Sequence, residues 1–501
     1  MTAYQQLEDR FRRLSALAEA EGVLHWDMST MMPEGGAGAR SEQLAALAVT
    51  RHELLTGSEV AELLGAAEEA SAGEAGGGLD PWQAANLREM RRRWRHATAL
   101  PADLVEAFSK ACRSCEMRWR GARPEADYAA VLPALEEVLR LVRQVAQAKA
   151  EALGVAPYAA LLDEFEPGGS VERIEAVFDD LAGFLPGFLD EVLARQAAAA
   201  APLPLGGPFP KAQQEALGRR LMQAVGFDFG HGRLDVSFHP FCGGVPEDVR
   251  ITTRYDEADF LSGLMAVLHE TGHAMYERGL PAAWRLQPVG AAGGMALHES
   301  QSLLIEMQAA RGAEFVAFMA PLAREAFAAS GPAWEVENLI RHYHRVERGL
   351  IRVDADEVTY PLHVILRFRL ERALIAGDLA LADLPDAWND GMAALLGVRP
   401  PDDRSGCLQD IHWYDGAWGY FPTYTLGALA AAQFFDAAVQ AVPEIPEALG
   451  RGDFAPLMAW LREKVHGAAA RLTTDALLEE VTGRPLDPAV FKAHLRARYL
   501  A

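Results

Sequence analysis

The segment His269-Glu270-Thr271-Gly272-His273 constrains this chain more than any other. On a helix its two histidines, four residues apart, project from one face, close enough to hold a single cation between them. Glu270 then points about 100° around the helix, where it reaches a water on such a cation without being a ligand. The flanks favour a helix: Leu261, Leu264, Met265, Leu268 and Met275 form an apolar stripe, and Asp256 or Asp259 stands at the N-terminus. Two histidines on an acidic helix are also compatible with a plain surface pair. A catalytic zinc needs a third protein ligand.

The whole chain narrows the classes of function. Its net charge is −23 and it has no basic run, which argues against nucleic acid and anionic membrane as partners. Met1 to Arg13 is charged throughout and has no apolar core, so a signal peptide is not expected. The most apolar stretch, Leu426 to Val442, contains Gln433 and Asp436 and reads as a buried helix. Four cysteines are few for 501 residues and fit a reducing cytoplasm. The Cys112-x-x-Cys115 pair has no second pair to complete a metal site and reads as two small residues on a helix face. Length alone suggests about three domains. A large helical enzyme can nonetheless form one body, and the expectation is a single domain over 1–501. Tentative sub-regions 1–200 and 211–501 lie either side of the Pro/Gly-rich segment Ala201 to Pro210.

Periodicity of three and four predicts helices over 2–23, 40–55, 81–95, 101–120, 128–153 and 171–200. Residues 24–36 read as a breaker segment, 72–79 as a loop and 157–170 as a connection. The period changes to two at Arg233. Leu234, Val236 and Phe238 predict a strand stopped by Pro240, residues 241–247 a turn, and 248–252 a second strand, giving a β-hairpin before the HETGH helix. Beyond it come a Gly-rich loop (281–295), a helix from Ala296, and helices over 312–329 and 333–348. An irregular piece (351–356), a helix over 358–375, a polar aromatic loop (401–417) and a helix over 418–442 follow. The fold class expected is mainly α, with a small β-hairpin or sheet beside the HETGH helix.

Glu299 follows His273 by 26 residues, at the start of a separate helix. Two His and one Glu form the ligand set of thermolysin-like catalytic zinc. The residues alone leave two alternatives open: Glu299 as a solvated carboxylate at a helix N-terminus, or Glu306 on the same helix as the ligand.

A chain-ordered set of motifs resembles the thermostable (Taq-type) metallocarboxypeptidase family. The motifs are His239-Pro240-Phe241, Asp248-Val249-Arg250-Ile251-Thr252, HETGH at 269–273, His298-Glu299-Ser300-Gln301-Ser302, Ile351-Arg352-Val353-Asp354-Ala355-Asp356 and Gly406 to Trp413 (GCLQDIHW). The segments His25-Trp26-Asp27 and Met31 to Gly36 are similar to the family's N-terminal region. The resemblance implies a boat-shaped helical peptidase with a long groove and a homodimer. It implies zinc on His269, His273 and Glu299, and broad removal of C-terminal residues, commonly slowed at proline. Cobalt is expected to substitute for zinc in a site of this geometry.

The same residues suggest roles. Glu270 is the expected general base. His412, Tyr420 and Tyr424 are candidate donors to a tetrahedral oxyanion, the tyrosines being i,i+4 on a predicted helix. Each tyrosine reads equally as a core aromatic with a bonded hydroxyl. Arginine suits a free C-terminal carboxylate. Arg352 is favoured for it and Arg250, with Asp248 two residues away, is second. His239 ends a strand whose polar face lines the expected groove, or is a structural histidine. The expected partners are peptides with a free C-terminus. An oligoendopeptidase with the same chemistry is the first rival. A silent peptide-binding protein is the second, and the presence of Glu270 argues against it.

Overall fold

In the computed structural model, residues 1–72 and 78–500 are described, so the loop expected at 72–79 falls largely outside them. The described chain forms two compact units, each built from three separate segments. The first comprises Met1–Ala97, Pro202–Tyr343 and Ala430–Pro485; the second comprises Thr98–Ala201, His344–Leu429 and Leu486–Ala501. Among the described residues, no helix is long and apolar enough to cross a membrane.

The first unit opens with a helix over Ala3–Thr30, started by a reciprocal cap between Thr2 and Gln5. Its stripe of Tyr4, Leu7, Phe11 and Leu14 packs against Val60, Leu64, Leu87 and Met90. The helix runs through His25-Trp26-Asp27, where a break was expected, and ends only before Pro33. Trp26 explains the continuation. Its ring is buried beneath the Arg233 and Arg250 guanidiniums, 4.6 and 4.3 Å from its centroid, so the last helical turns are held by tertiary contact.

The β structure is a three-stranded sheet in the order β1-β3-β2, with β1 at Gly232–Val236, β2 at Phe241–Val245 and β3 at Asp248–Thr253. Phe241–Val245, the greater part of the segment expected to be a turn, is therefore a strand. The antiparallel hairpin is β2–β3, turning at Pro246-Glu247, and β1 runs parallel to β3 with Leu234 opposite Ile251. Gly243 and Gly244 resemble turn residues, but Gly244 serves a close approach. Its φ is +92°, and a Cβ there would lie 2.1 Å from the Asp248 carbonyl oxygen.

The HETGH helix spans Phe260–Gly279 and begins at Asp259, whose carboxylate accepts from the Leu261 and Ser262 amides at 3.1 and 3.3 Å. A second helix, Met295–Leu303, carries Glu299 and widens into a π-helical stretch over Leu304–Ala310.

In the second unit, the expected connection at 157–170 contains a helix over Pro157–Phe165. Pro157 occupies its first turn, and Tyr158, Leu161 and Leu162 are buried. A long helix over Tyr360–Ala376 is buried on nearly every side. Its polar residues Tyr360, His363, Arg367 and Glu371 recur at helical spacing along one stripe.

Replacing the HETGH helix cap, Asp259→Ala, is expected to destabilise the protein by about 1 kcal/mol, read as a lowered melting temperature. An unchanged melting temperature would show that the two amides find other acceptors.

Candidate active site

Gly272 determines how closely the two helices of the first unit approach. A Cβ at this position would lie 2.4 Å from the Gln301 carbonyl oxygen and 2.6 Å from Ser302 Cα, so only glycine permits the crossing. That approach brings Glu299 up to the two histidines. Glu299 Oε2 lies 3.8 Å from His269 Nε2 and 3.5 Å from His273 Nε2, and the three donor atoms lie within 4.8 Å of one another. Ligands at ~2.0–2.2 Å in tetrahedral array stand ~3.4 Å apart, so the distances from Glu299 fit a zinc-sized cation. Among the described residues this is the group of His, Cys, Asp and Glu able to hold a metal ion.

The remaining ring nitrogens are bonded in a way that leaves Nε2 for a cation. His269 Nδ1 lies 2.9 Å from Glu306 Oε2, and Glu306 is held in turn by Arg311 at 2.6 Å. His273 Nδ1 lies 2.7 Å from His298 Nδ1, and His298 Nε2 lies 2.9 Å from Glu277 Oε1. With both ligand Nε2 atoms unprotonated, one proton arrangement satisfies every bond. His269 donates to Glu306; His273 donates to His298, which donates to Glu277. Glu306 thus faces His269 Nδ1, whereas Glu299 faces the Nε2 atoms of both histidines.

The site is rich in buried carboxylates. Burial alone would lower the His269 imidazole, but Glu299, Glu306 and Glu270 outweigh it and push it up to about 10. Burial, reinforced by His298 and His269, draws His273 down to about 4. Burial would raise Glu299, yet the neighbouring histidines hold it at about 2. Burial, with Glu299 and Glu306 close by, pushes Glu270 up to about 7 against the pull of His269. Three carboxylates around one protonated histidine form a cluster that a dication stabilises by displacing the proton.

The second unit holds a cluster of the opposite sign. Arg352 and Arg367 share the carboxylate of Asp410: Arg352 Nη2 reaches Oδ1 at 2.8 Å, and Arg367 Nε reaches Oδ2 at 2.6 Å. Both guanidiniums are buried and the Asp410 carboxylate is nearly so. Among the described residues, Asp410 is the carboxylate within ion-pair distance of either guanidinium, so one positive charge is left over. Burial and the two arginines hold His412 near 3, and burial with Arg367 does the same to His363, so neither adds charge. The three expected donors are gathered here: His412 Nε2 lies 3.1 Å from the Tyr424 hydroxyl, and the rings of Tyr420 and Tyr424 are 5.1 Å apart. Tyr420 precedes the helix, which begins at Pro422, so a turn and not helical spacing sets this contact.

The Carboxypeptidase Taq (M32) metallopeptidase family matches residues 6–499. The chain belongs to that family. As an M32 metallocarboxypeptidase, it is 38% identical to thermostable carboxypeptidase 1 of Thermus thermophilus, over 100% of this chain and 98% of the relative. It is 31% identical to carboxypeptidase 1 of Bacillus subtilis, over 99% and 98%. The solved structure of Trypanosoma cruzi metallocarboxypeptidase 1 matches at a TM-score of 0.96 and 40% identity, over 100% of this chain and 99% of that one. The M32 carboxypeptidase from Deinococcus radiodurans R1 matches at a TM-score of 0.92 and 38% identity, over 99% and 98%.

The other arginine considered for substrate sits elsewhere in the M32 chain. Arg250 pairs with Asp248 at 2.6 Å and stacks on Trp26 in the first unit. Arg352 bonds Asp410, and not the nearer-in-sequence Asp354 or Asp356. His239 is exposed just past β1, its ring 4.7 Å from that of Phe238. Sequence reading missed Arg367, Glu371 and the roles of His298 and Glu277. A signal existed for the first two: Arg367 and Glu371 follow His363 at spacings of four along one face of a segment rich in Leu, Ile, Val and Phe, so burial of that face requires partners for them.

Gly272→Ala forces the two helices apart by overpacking, at a cost of about 1–3 kcal/mol. The variant is expected to bind the metal more weakly than wild type, measured by chelator competition on folded protein. Undiminished affinity would mean that the crossing does not govern the ligand distances.

Proposed function

We propose that this M32 chain removes C-terminal residues from peptides with broad specificity, slowly at proline, and uses zinc held by His269, His273 and Glu299. The observation that carries the reading is the Glu299 carboxylate set 3.5 and 3.8 Å from the Nε2 atoms of the HETGH histidines, with Glu270 beside them on the same helix. When bound, zinc, or cobalt in its place, is a Lewis acid able to lower the pKa of a water to about 7. Glu270 accepts the proton of the attacking water and passes it to the leaving amine. A carboxyl pushed up toward neutrality by burial suits both halves of that task. Glu306 and His298 hold the ligand imidazoles in orientation.

In the second unit, Arg352 is assigned to the free C-terminal carboxylate. The charge left over from two guanidiniums on one Asp410 supports this, since a buried cation gains from a further anion. His412, Tyr420 and Tyr424 are assigned as donors to the oxyanion. Arg250, already paired and stacked, is a scaffold or secondary contact, and His239 is a secondary contact. The protein acts as a cytoplasmic homodimer, on peptides and not on nucleic acid or membrane. An oligoendopeptidase would cut C-terminally amidated peptides as well as free acids.

Glu270→Gln is expected to keep metal and fold and lose nearly all turnover, whereas Glu299→Ala loses metal. A glutamine variant within about tenfold of wild type, only ~1.4 kcal/mol in barrier, would remove Glu270 as the base. Arg352→Ala is expected to lower kcat/KM on free-acid peptides by roughly 2–5 kcal/mol and to affect amides far less. Equal losses on matched free-acid and amide substrates, with metal content verified, would make Arg352 part of the scaffold.

A further inference from the structure

Glu371 is a fully enclosed carboxylate on the Tyr360–Ala376 helix. One oxygen, Oε2, accepts from the Tyr158 hydroxyl at 2.8 Å. The other, Oε1, accepts from the Gly419 amide at 2.8 Å and from the Trp413 indole at 3.2 Å. Among the described residues no cation pairs with it. A buried carboxylate without a counter-charge is costly, and its three bonds are what offset the cost. The two bonds to Oε1 clasp both ends of the segment between His412 and Tyr420. Trp413 is the neighbour of His412, and Gly419 is the neighbour of Tyr420. Gly419 has a φ of +93°, and a Cβ there would lie 2.8–3.0 Å from the Leu161 and Leu162 backbone, so this turn is pressed onto the Pro157–Phe165 helix. Within the segment, the Trp418 indole bonds the Trp413 carbonyl at 3.2 Å. Outside it, the Tyr420 ring meets Phe165 edge-on at 5.0 Å.

We propose that Glu371 is a positioning residue for the peptidase reaction: through Oε1 it holds Trp413 and Gly419, and so sets where His412 and Tyr420 present their donors. This rests on the assignment of His412 and Tyr420 as oxyanion donors. The oxygens divide the work. Oε1 faces the segment, and Oε2 faces Tyr158 alone. A glutamine can keep its carbonyl oxygen on Trp413 and Gly419 and turn its amide toward the Tyr158 oxygen, so position is kept when charge is lost. A leucine of similar size supplies no acceptor.

The test compares Glu371→Leu, Glu371→Gln and Tyr158→Phe with wild type as the metal-loaded full chain. It measures kcat and KM on a free-acid peptide, metal content, and hydrogen exchange of the 411–421 backbone. The leucine variant is expected to lose roughly 10–100-fold in kcat, the scale of a misplaced donor. Its KM and metal content stay near wild type, and exchange of the segment quickens. Glutamine restores both kcat and slow exchange, and Tyr158→Phe leaves both near wild type. If the leucine variant does not fold, Trp413→Phe removes one of the two Oε1 bonds and keeps the ring. It is then expected to lower kcat where Tyr158→Phe does not. Lost kcat with unchanged exchange overturns the proposal, as does a glutamine variant as damaged as leucine. Quickened exchange with unchanged kcat overturns it too. In that case Tyr420→Phe and His412→Ala separate the causes: if they also keep wild-type kcat, the donor assignment itself has failed; if they lose it, only the positioning by Glu371 has.

Discussion

The crossing of the HETGH and Glu299 helices at Gly272 is the contact on which the candidate metal site depends. Three donor atoms from two helices come within bonding range of one cation only if the backbones nearly touch. A helix with side chains at its crossing packs at 8–10 Å; the absent Cβ at Gly272 removes that spacer. The π-helical stretch that follows Glu299 lies in the same region and carries Glu306 onto His269. Ligand distance and ligand orientation thus come from the same pair of elements.

The two units carry buried charge of opposite sense. In the first, Glu270, Glu299 and Glu306 surround His269, which they draw toward protonation, an environment that favours a cation. In the second, two guanidiniums share Asp410 while His363 and His412 stay neutral, an environment that favours an anion. Neither imbalance serves stability, because buried charges cost more to desolvate than imperfect pairing returns. A metallocarboxypeptidase must bind a metal cation and a substrate that ends in a carboxylate, and under the proposed assignments each imbalance meets one of these. Glu371, also in the second unit, is a third kind of buried charge. It has neutral donors in place of a counter-ion, and those donors belong to the segment between His412 and Tyr420.

Much of the fold was legible because local pattern and burial agreed. The helix expected over 128–153 is the one observed, since an apolar stripe, an Asp127 cap and Gly154 at the end all concur. The misreadings occurred where tertiary contact overrode local chemistry. The first helix continues past its expected end because Arg233 and Arg250 clamp Trp26. Gly244 sits in a strand, at a point where the Asp248 backbone approaches too closely for any side chain. The sequence pattern reported glycine correctly; whether glycine marks a turn or a close approach depends on a neighbour that the pattern does not contain.

The sequence by itself determined the helical character of the chain, the spacing that puts two imidazoles on one helix face, and, through its ordered motifs, the family. These are properties of short stretches, where a 3.6-residue period or a motif is complete in itself. The tertiary structure decided which of Glu299 and Glu306 faces the imidazole Nε2 atoms and which bonds Nδ1. It also decided that Arg352 and Arg367 meet Asp410 and not the sequence neighbours of Arg352, and that Glu371 meets Trp413 and Gly419. Each of these depends on which distant atom lies within about 3 Å of a side chain's tip, the range of a hydrogen bond. That distance is set by how helices cross, and the crossing at Gly272 becomes visible only when both backbones are in place.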